Sequence, residues 1–141
     1  MNPNTRPNIM LTKEDHKILS RLIADPAYRS RNRAEVRALE EELQRAEIVP
    51  AADIPPDVVT MNSRAEVQDL DSNERMEFTI VLPEEARIEE GKISILAPIG
   101  AGMLGYRAGE TFEWPAPRGT LRLKVVAVTY QPEAVLHANA A

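Results

Sequence analysis

Cysteine is missing from this chain altogether. Disulfide staples and thiolate-held metal centres are therefore excluded. No apolar run approaches the roughly 20 residues that a membrane-spanning helix needs. Residues 1–8 are polar and proline-containing, without the apolar stretch of a secretory signal. The expectation is a soluble, cytoplasmic protein that does not engage a membrane. Excess positive charge is lacking too: 17 basic side chains stand against 22 acidic ones, for a formal net charge of −5. A protein that tracks phosphates needs a concentrated positive field, so direct sequence-specific nucleic-acid binding is not expected. Glycine is absent before Gly91, and five of the six aromatic residues lie after residue 77.

What is present divides near residue 50. The first fifty residues are rich in Leu, Ile, Ala, Glu and Arg, which favour helix; the remainder carries the glycines and most of the aromatics. Pro50, Pro55 and Pro56 stiffen the joint between them. At 141 residues the chain can bury roughly two-thirds of its unfolded surface, enough for one good core. In the first half, Thr12 and Asp15 have the spacing of a capping box. Ile18, Leu19, Leu22 and Ile23 then form an apolar stripe that ends at Asp25-Pro26. A second helix is predicted from Asn32, with Val36, Leu39, Leu43 and Ala46 as its seam and Arg37–Glu41 and Glu41–Arg45 as exposed pairs. The second half reads as short strands: Arg64–Asp69, Met76–Leu82 with alternating faces, Ile93–Leu96, Thr111–Trp114 and Leu121–Tyr130. One short helix over Gly100–Tyr106 separates them. The fold class is α+β: an antiparallel helical hairpin over residues 1–50, with a coiled-coil seam, then an antiparallel β domain over 51–141. The seam can be satisfied within one chain, so a monomer is expected.

Generic site motifs fail on context. Gly100-Ala-Gly102-Met-Leu-Gly105 is a literal GxGxxG, but the next strand arrives too soon for a crossover helix, and no acidic residue follows at the ribose-binding distance. Tight packing around a short helix is the better reading. The runs Glu40–Glu42, Glu84-Glu85 and Glu89-Glu90, with Asp69 and Asp71, fall on a helix face or in turns and read as solvated charge. His16 and His137 lie far apart with no ligand-spaced partner, so no metal site and no cofactor are predicted. None of the five serines lies in a nucleophile elbow. Phe78, Tyr106, Phe112, Trp114 and Tyr130 read as core, or alternatively as the lining of a prolyl-isomerase cleft. Arg29, Arg31, Arg33 and Arg37 form the one basic cluster, read either as solvated charge or as a surface for an acidic groove on a protein partner.

Two stretches are more specific. Gly91-Lys-Ile-Ser-Ile-Leu-Ala-Pro98-Ile-Gly100, followed by Met103-Leu-Gly-Tyr-Arg-Ala-Gly-Glu110, resembles the G-K-I-S-x-x-S-P-L-G-x-A-L-L-G-x-x-x-G-D segment of bacterial Gre transcript-cleavage factors. Asp57-Val-Val-Thr-Met-Asn-Ser-Arg64 and Tyr130-Gln-Pro-Glu133 resemble the branch of that family called regulators of nucleoside diphosphate kinase. The resemblance implies a helical hairpin on an FKBP-like domain, with RNA polymerase as partner and docking at the entrance of its secondary channel. It assigns polymerase contact to Pro98, Ile99 and Gly100, with Ile95 and Ala101 as neighbours. Ala97 departs from the pattern, which has serine there.

At the hairpin tip the family's cleavage factors carry carboxylates that hold a catalytic Mg²⁺. Here the loop Asp25-Pro-Ala-Tyr-Arg-Ser-Arg-Asn-Arg33 carries three arginines instead, and the hairpin is shorter. Tyr28, Arg29 and Arg31 are expected to face the partner. The function implied is a non-enzymatic transcription regulator that competes with Gre factors without promoting cleavage and affects nucleoside diphosphate kinase only indirectly. A prolyl isomerase, or an interaction module with another target, is the alternative.

Overall fold

The computed structural model describes residues 9–117 and 119–140, without the side chains of residues 137–140. Arg118 and the side chain of His137 thus lie outside what is described.

Helix α1 (Lys13–Ala24) starts where Thr12 Oγ1 accepts the Asp15 N–H at 3.1 Å. It buries Leu19, Leu22 and Ile23, whereas Ile18, expected in the same stripe, is 42% exposed. Pro26 holds Asp25 extended (ψ 118°) and ends the helix. The Asp25 carboxylate then caps a single turn that the sequence pattern does not announce, α2 (Pro26–Arg29), through the Ala27 N–H at 2.9 Å. Helix α3 (Arg33–Arg45) follows, with Val36, Leu39 and Leu43 buried as the seam predicts. The exposed pairing differs. Arg45 turns to Glu42 at 2.9 Å, because Glu42 is itself buried and needs a countercharge.

Two strands bracket these helices. β1 (Met10–Thr12) pairs in parallel with β2 (Glu47–Val49), setting Leu11 beside Ile48. Neither is visible in the sequence, since three residues carry no readable alternation. Their effect is to tie the start of α1 to the end of α3.

The second half forms a five-stranded sheet in the order β5-β4-β3-β7-β6. The strands are β3 (Arg64–Asp69), β4 (Arg75–Val81), β5 (Lys92–Ser94), β6 (Thr111–Ala116) and β7 (Gly119–Tyr130). The expected all-antiparallel sheet is corrected at one edge. β4 and β5 run parallel, with Thr79 beside Lys92, because residues 82–91 carry the chain back through two 3₁₀ turns before β5 begins. The strict alternation expected for β4 also breaks. Ile80 and Val81 are both buried, so that end of the strand is covered on both faces.

Elsewhere the sheet is two-faced. Ala65, Val67, Phe112, Trp114, Leu123 and Val125 point inward. Outward, Arg75 meets Glu66 at 3.3 Å and Arg122 meets Glu113 at 3.6 Å. Two further helices complete the chain. α4 (Pro98–Met103) is shorter than expected, and α5 (Pro132–Ala140) occupies what reads in sequence as a tail. The apolar core is continuous from Leu19 and Leu39, through Ile9 and Leu11, to Ala65, Ile80 and Leu123.

Candidate functional site

The segment after β5 folds back on itself before α4. Ile95 donates its N–H to Val81 O at 2.9 Å, and Ser94 accepts twice: Leu96 N–H on its hydroxyl at 3.0 Å, Ala97 N–H on its carbonyl at 2.9 Å. Ala97 is then the N-cap of α4 with no side chain to cap it, and Pro98 occupies the first turn. Gly100 is required by close approach, because a Cβ there would run into the Ser94 carbonyl. Gly105 is required by its left-handed φ of +82° and by the Ile9 side chain against it. The GxGxxG run is therefore a packing device.

The five residues expected to touch a partner fall into two layers. Pro98 and Ile99 are half-exposed at the start of α4, while Ile95, Gly100 and Ala101 lie buried beneath them. Hence any contact made here is made by Pro98 and Ile99, on a surface that the other three hold up.

This surface is wired to the helices through backbone. Val59 donates to Tyr106 O at 2.9 Å, Gly105 to Val59 O at 2.8 Å, Met10 to Gly105 O at 3.3 Å, and Glu47 to Ile9 O at 2.8 Å. A buried polar joint reinforces the connection. Asp15 Oδ2 accepts the Met61 N–H at 3.0 Å, and the Thr60 hydroxyl donates to Glu133 Oε1 at 2.7 Å. Thr60 also lies 2.7 Å from the Ser63 hydroxyl, and Gln131 Nε2 donates to Pro55 O and Val58 O at 2.7 and 2.8 Å. The two motifs at residues 57–64 and 130–133, far apart in sequence, thus close around one turn. Asp15 joins them from α1.

Asp15 is 7% exposed. Burial, and secondarily the charges of Glu133 and Glu14, push its carboxyl up to about 6, against the opposing bonds from Met61 and Thr12. Sequence spacing assigned Asp15 to a local capping box. Thr12 accordingly accepts the Asp15 N–H, and the Asp15 carboxylate also reaches across the chain to Met61.

At the α1–α3 connection, Tyr28 donates its hydroxyl to Glu84 Oε2 at 3.1 Å, which raises the phenol pKa. Glu84 is therefore an anchor rather than the merely solvated charge expected of it. Arg29 donates to Ile23 O at 2.8 Å and reaches Glu40 at 3.5 Å, and Asn32 Nδ2 donates to Tyr28 O at 3.0 Å. Tyr28 and Arg29, expected to face a partner, are thus engaged within the chain.

Arg31, Arg33 and Arg37 are exposed, and none has an ion-pair partner among the described residues. Arg33 and Arg37 are one turn apart on the same helix, where like charges repel by roughly 0.2–0.5 kcal/mol.

The family's Mg²⁺ does not fit these residues. Asp25 is the loop's one carboxylate, it caps Ala27, and guanidinium groups surround it in sequence. Among the described residues no three His, Cys, Asp or Glu side chains come together as a metal cage. Tyr106, Phe112 and Trp114 are buried, with the Tyr106 and Phe112 rings 5.3 Å apart, whereas Tyr130, read as core, is 48% exposed at the end of β7.

Comparison with known proteins identifies relatives at both ends of the chain. A family model of the C-terminal part of the transcription elongation factors GreA/GreB matches residues 54–130, and one of the Rnk N-terminus matches residues 7–49. The regulator of nucleoside diphosphate kinase of Escherichia coli is 37% identical over 131 residues, covering 92% of this chain and 95% of that protein. Transcription elongation factor GreA of Chloroherpeton thalassium is 39% identical over 93 residues, 66% of this chain and 59% of its own. The solved structure of a prokaryotic transcription elongation factor GreA/GreB from Nitrosomonas europaea superimposes with a TM-score of 0.70 at 40% identity, covering 89% of this chain and all of that one.

Proposed function

This chain belongs to the family of the regulators of nucleoside diphosphate kinase and the GreA/GreB transcription elongation factors, and from that premise we propose that it binds bacterial RNA polymerase at the entrance of the secondary channel. Occupying that entrance, it competes with Gre factors and leaves the transcript uncut; its effect on nucleoside diphosphate kinase is indirect. The relatives are regulators and elongation factors, not classical enzymes.

On this reading α1, α2 and α3 are a short helical hairpin whose tip points into the entrance, and residues 51–141 are an FKBP-like domain that docks on the rim. Pro98 and Ile99 make the rim contact on the support of Ile95, Gly100 and Ala101. The protein acts as a monomer in the cytoplasm and contacts no nucleic acid directly.

The observation that carries the proposal is the shape of the Pro98 surface: two half-buried apolar residues raised on a backbone that Gly100 and two buried neighbours, Ile95 and Ala101, define. The reading without cleavage rests on the tip, where metal-assisted hydrolysis would need carboxylates free to hold the ion. Asp25 is occupied as a cap and the neighbouring charges are positive.

Pro98→Asp tests the docking surface. It places a charge on a half-buried contact without disturbing a backbone donor, since proline has none. Binding to purified polymerase should weaken at least about tenfold, or roughly 1.4 kcal/mol, with the melting curve unchanged. Equal affinity in a folded variant would remove this surface from the interface. Added to a backtracked complex, the wild-type protein should release no short transcript; cleavage above background would contradict the second half of the proposal.

A further inference from the structure

Acidic side chains outnumber basic ones in this protein, and its arginines mostly reflect that. Arg64, Arg75, Arg87, Arg107 and Arg122 on the sheet and its turns each face a carboxylate within 4 Å. The pattern breaks between Asp25 and Arg37. Four arginines stand there against two carboxylates, and among the described residues only Arg29 is paired, with Glu40.

The unpaired three sit on a built surface. Arg29 clamps the end of α1 through Ile23 O, Asn32 clamps α2 through Tyr28 O, and Tyr28 is tied to Glu84. Between α2 and α3 runs an open groove lined by Pro26, Arg33, Ala34 and Arg37, with Arg29 and Glu40 also on its wall. Small side chains at Pro26 and Ala34 leave room for a chain segment, and the guanidinium forks suit planar two-oxygen acceptors.

We propose that this groove and the adjoining Arg31 receive a carboxylate-rich segment of a protein partner, with Arg31, Arg33 and Arg37 as donors and Tyr28 and Arg29 as internal braces. Carboxylates are favoured over a phosphate backbone by what ends the basic run. Glu40 and Glu41 both line the same groove, so a continuous polyanion would meet repulsion one turn beyond Arg37. A short acidic segment fits within the positive stretch. The inference deepens the proposed docking at RNA polymerase, and rests on it only for the identity of the partner.

The test uses the full-length protein and Arg31→Glu/Arg33→Glu/Arg37→Glu. Arg31 is exposed between α2 and α3, and at Arg33 and Arg37 in α3 glutamate is as good a helix former as arginine, so the variant should melt close to the wild type. Three probes are titrated by fluorescence anisotropy at low and raised salt: an octa-aspartate peptide, octauridylate, and core RNA polymerase. The wild type should bind the peptide in a salt-sensitive manner and the variant should not. Octauridylate should bind neither, and polymerase affinity should fall at least about tenfold in the variant.

Peptide binding that depends on the arginines, with no polymerase binding by the wild type, would sustain the groove and end the polymerase reading. Polymerase binding that survives the substitutions, with peptide binding unchanged, would overturn the groove and leave the docking reading standing. Wild-type binding to octauridylate tighter than to the peptide would overturn the choice of carboxylate as ligand.

Discussion

Replacing Asp15 with asparagine should flatten part of the protein's stability profile between about pH 4 and pH 7. The carboxyl of Asp15 is raised from 3.8 to about 6, chiefly by burial. A carboxyl raised in the folded state is favoured there in its protonated form. Its contribution to stability is therefore fully present below the unfolded value near 4 and is lost as pH rises through about 6. Roughly two pK units at about 1.36 kcal/mol each give a loss of about 3 kcal/mol across that window. Asparagine cannot ionise, yet it retains an oxygen for the Met61 N–H, so the joint keeps its principal bond.

The assay is urea unfolding of both proteins at about pH 4, 6 and 7.5. The comparison is the difference between them, since other carboxylates titrate in both. The variant should gain on the wild type by up to about 3 kcal/mol from the acid to the neutral end, with most of the gain between about pH 4 and 6. Parallel profiles would show that Asp15 is solvated and that the polar joint between α1, the Thr60 turn and α5 is not closed in solution.

Two further changes probe the backbone that supports the Pro98 surface. Ala97→Ser should stabilise the protein by about 1 kcal/mol, because Ala97 is the N-cap of α4 and offers no side-chain acceptor; an unchanged thermal midpoint would mean the turn does not admit the capping rotamer. Gly100→Ala sets two effects against each other. Helix propensity alone favours alanine by about 0.5–1 kcal/mol, but the new methyl meets the Ser94 carbonyl, a backbone group pinned by the Ala97 N–H. Overpacking of this kind costs about 1–3 kcal/mol, so net destabilisation and weaker polymerase binding are expected, and a gain in stability would show that the loop yields.

Much of this architecture is written in local pattern. The seam Val36, Leu39 and Leu43, the strand Arg64–Asp69 and the turn rich in Asp and Ser after it all carry their own periodicity or turn chemistry. The glycines around α4 are legible for the same reason: too little chain separates them from the next strand for a nucleotide fold, which leaves close packing. What escapes local reading is long-range. The bond from Asp15 to Met61 spans 46 residues and that from Tyr28 to Glu84 spans 56, and nothing near either residue announces its partner.

The parallel β4–β5 pairing is illegible for a related reason. The stretch before Gly91, with Pro83 and four glutamates, reads as a turn whichever way the next strand goes. Ile18 and Tyr130 show the converse: apolar character predicts burial only where an element packs against something, and both stand on outward faces. In the connection between α1 and α3, the resemblance points to Tyr28, Arg29 and Arg31. Hydrogen bonding separates the residues committed within the chain from those left free, and shifts attention to Arg33 and Arg37.

The central claim is occupancy of the polymerase channel entrance, and displacement of a bound Gre factor tests it most directly. Core RNA polymerase carrying fluorescently labelled GreA is titrated with the unlabelled protein, and the anisotropy of the label is followed to saturation. The account predicts complete release of GreA along a single competitive curve. Saturable binding of the protein with GreA still in place would contradict it, and would put the contact elsewhere on the polymerase.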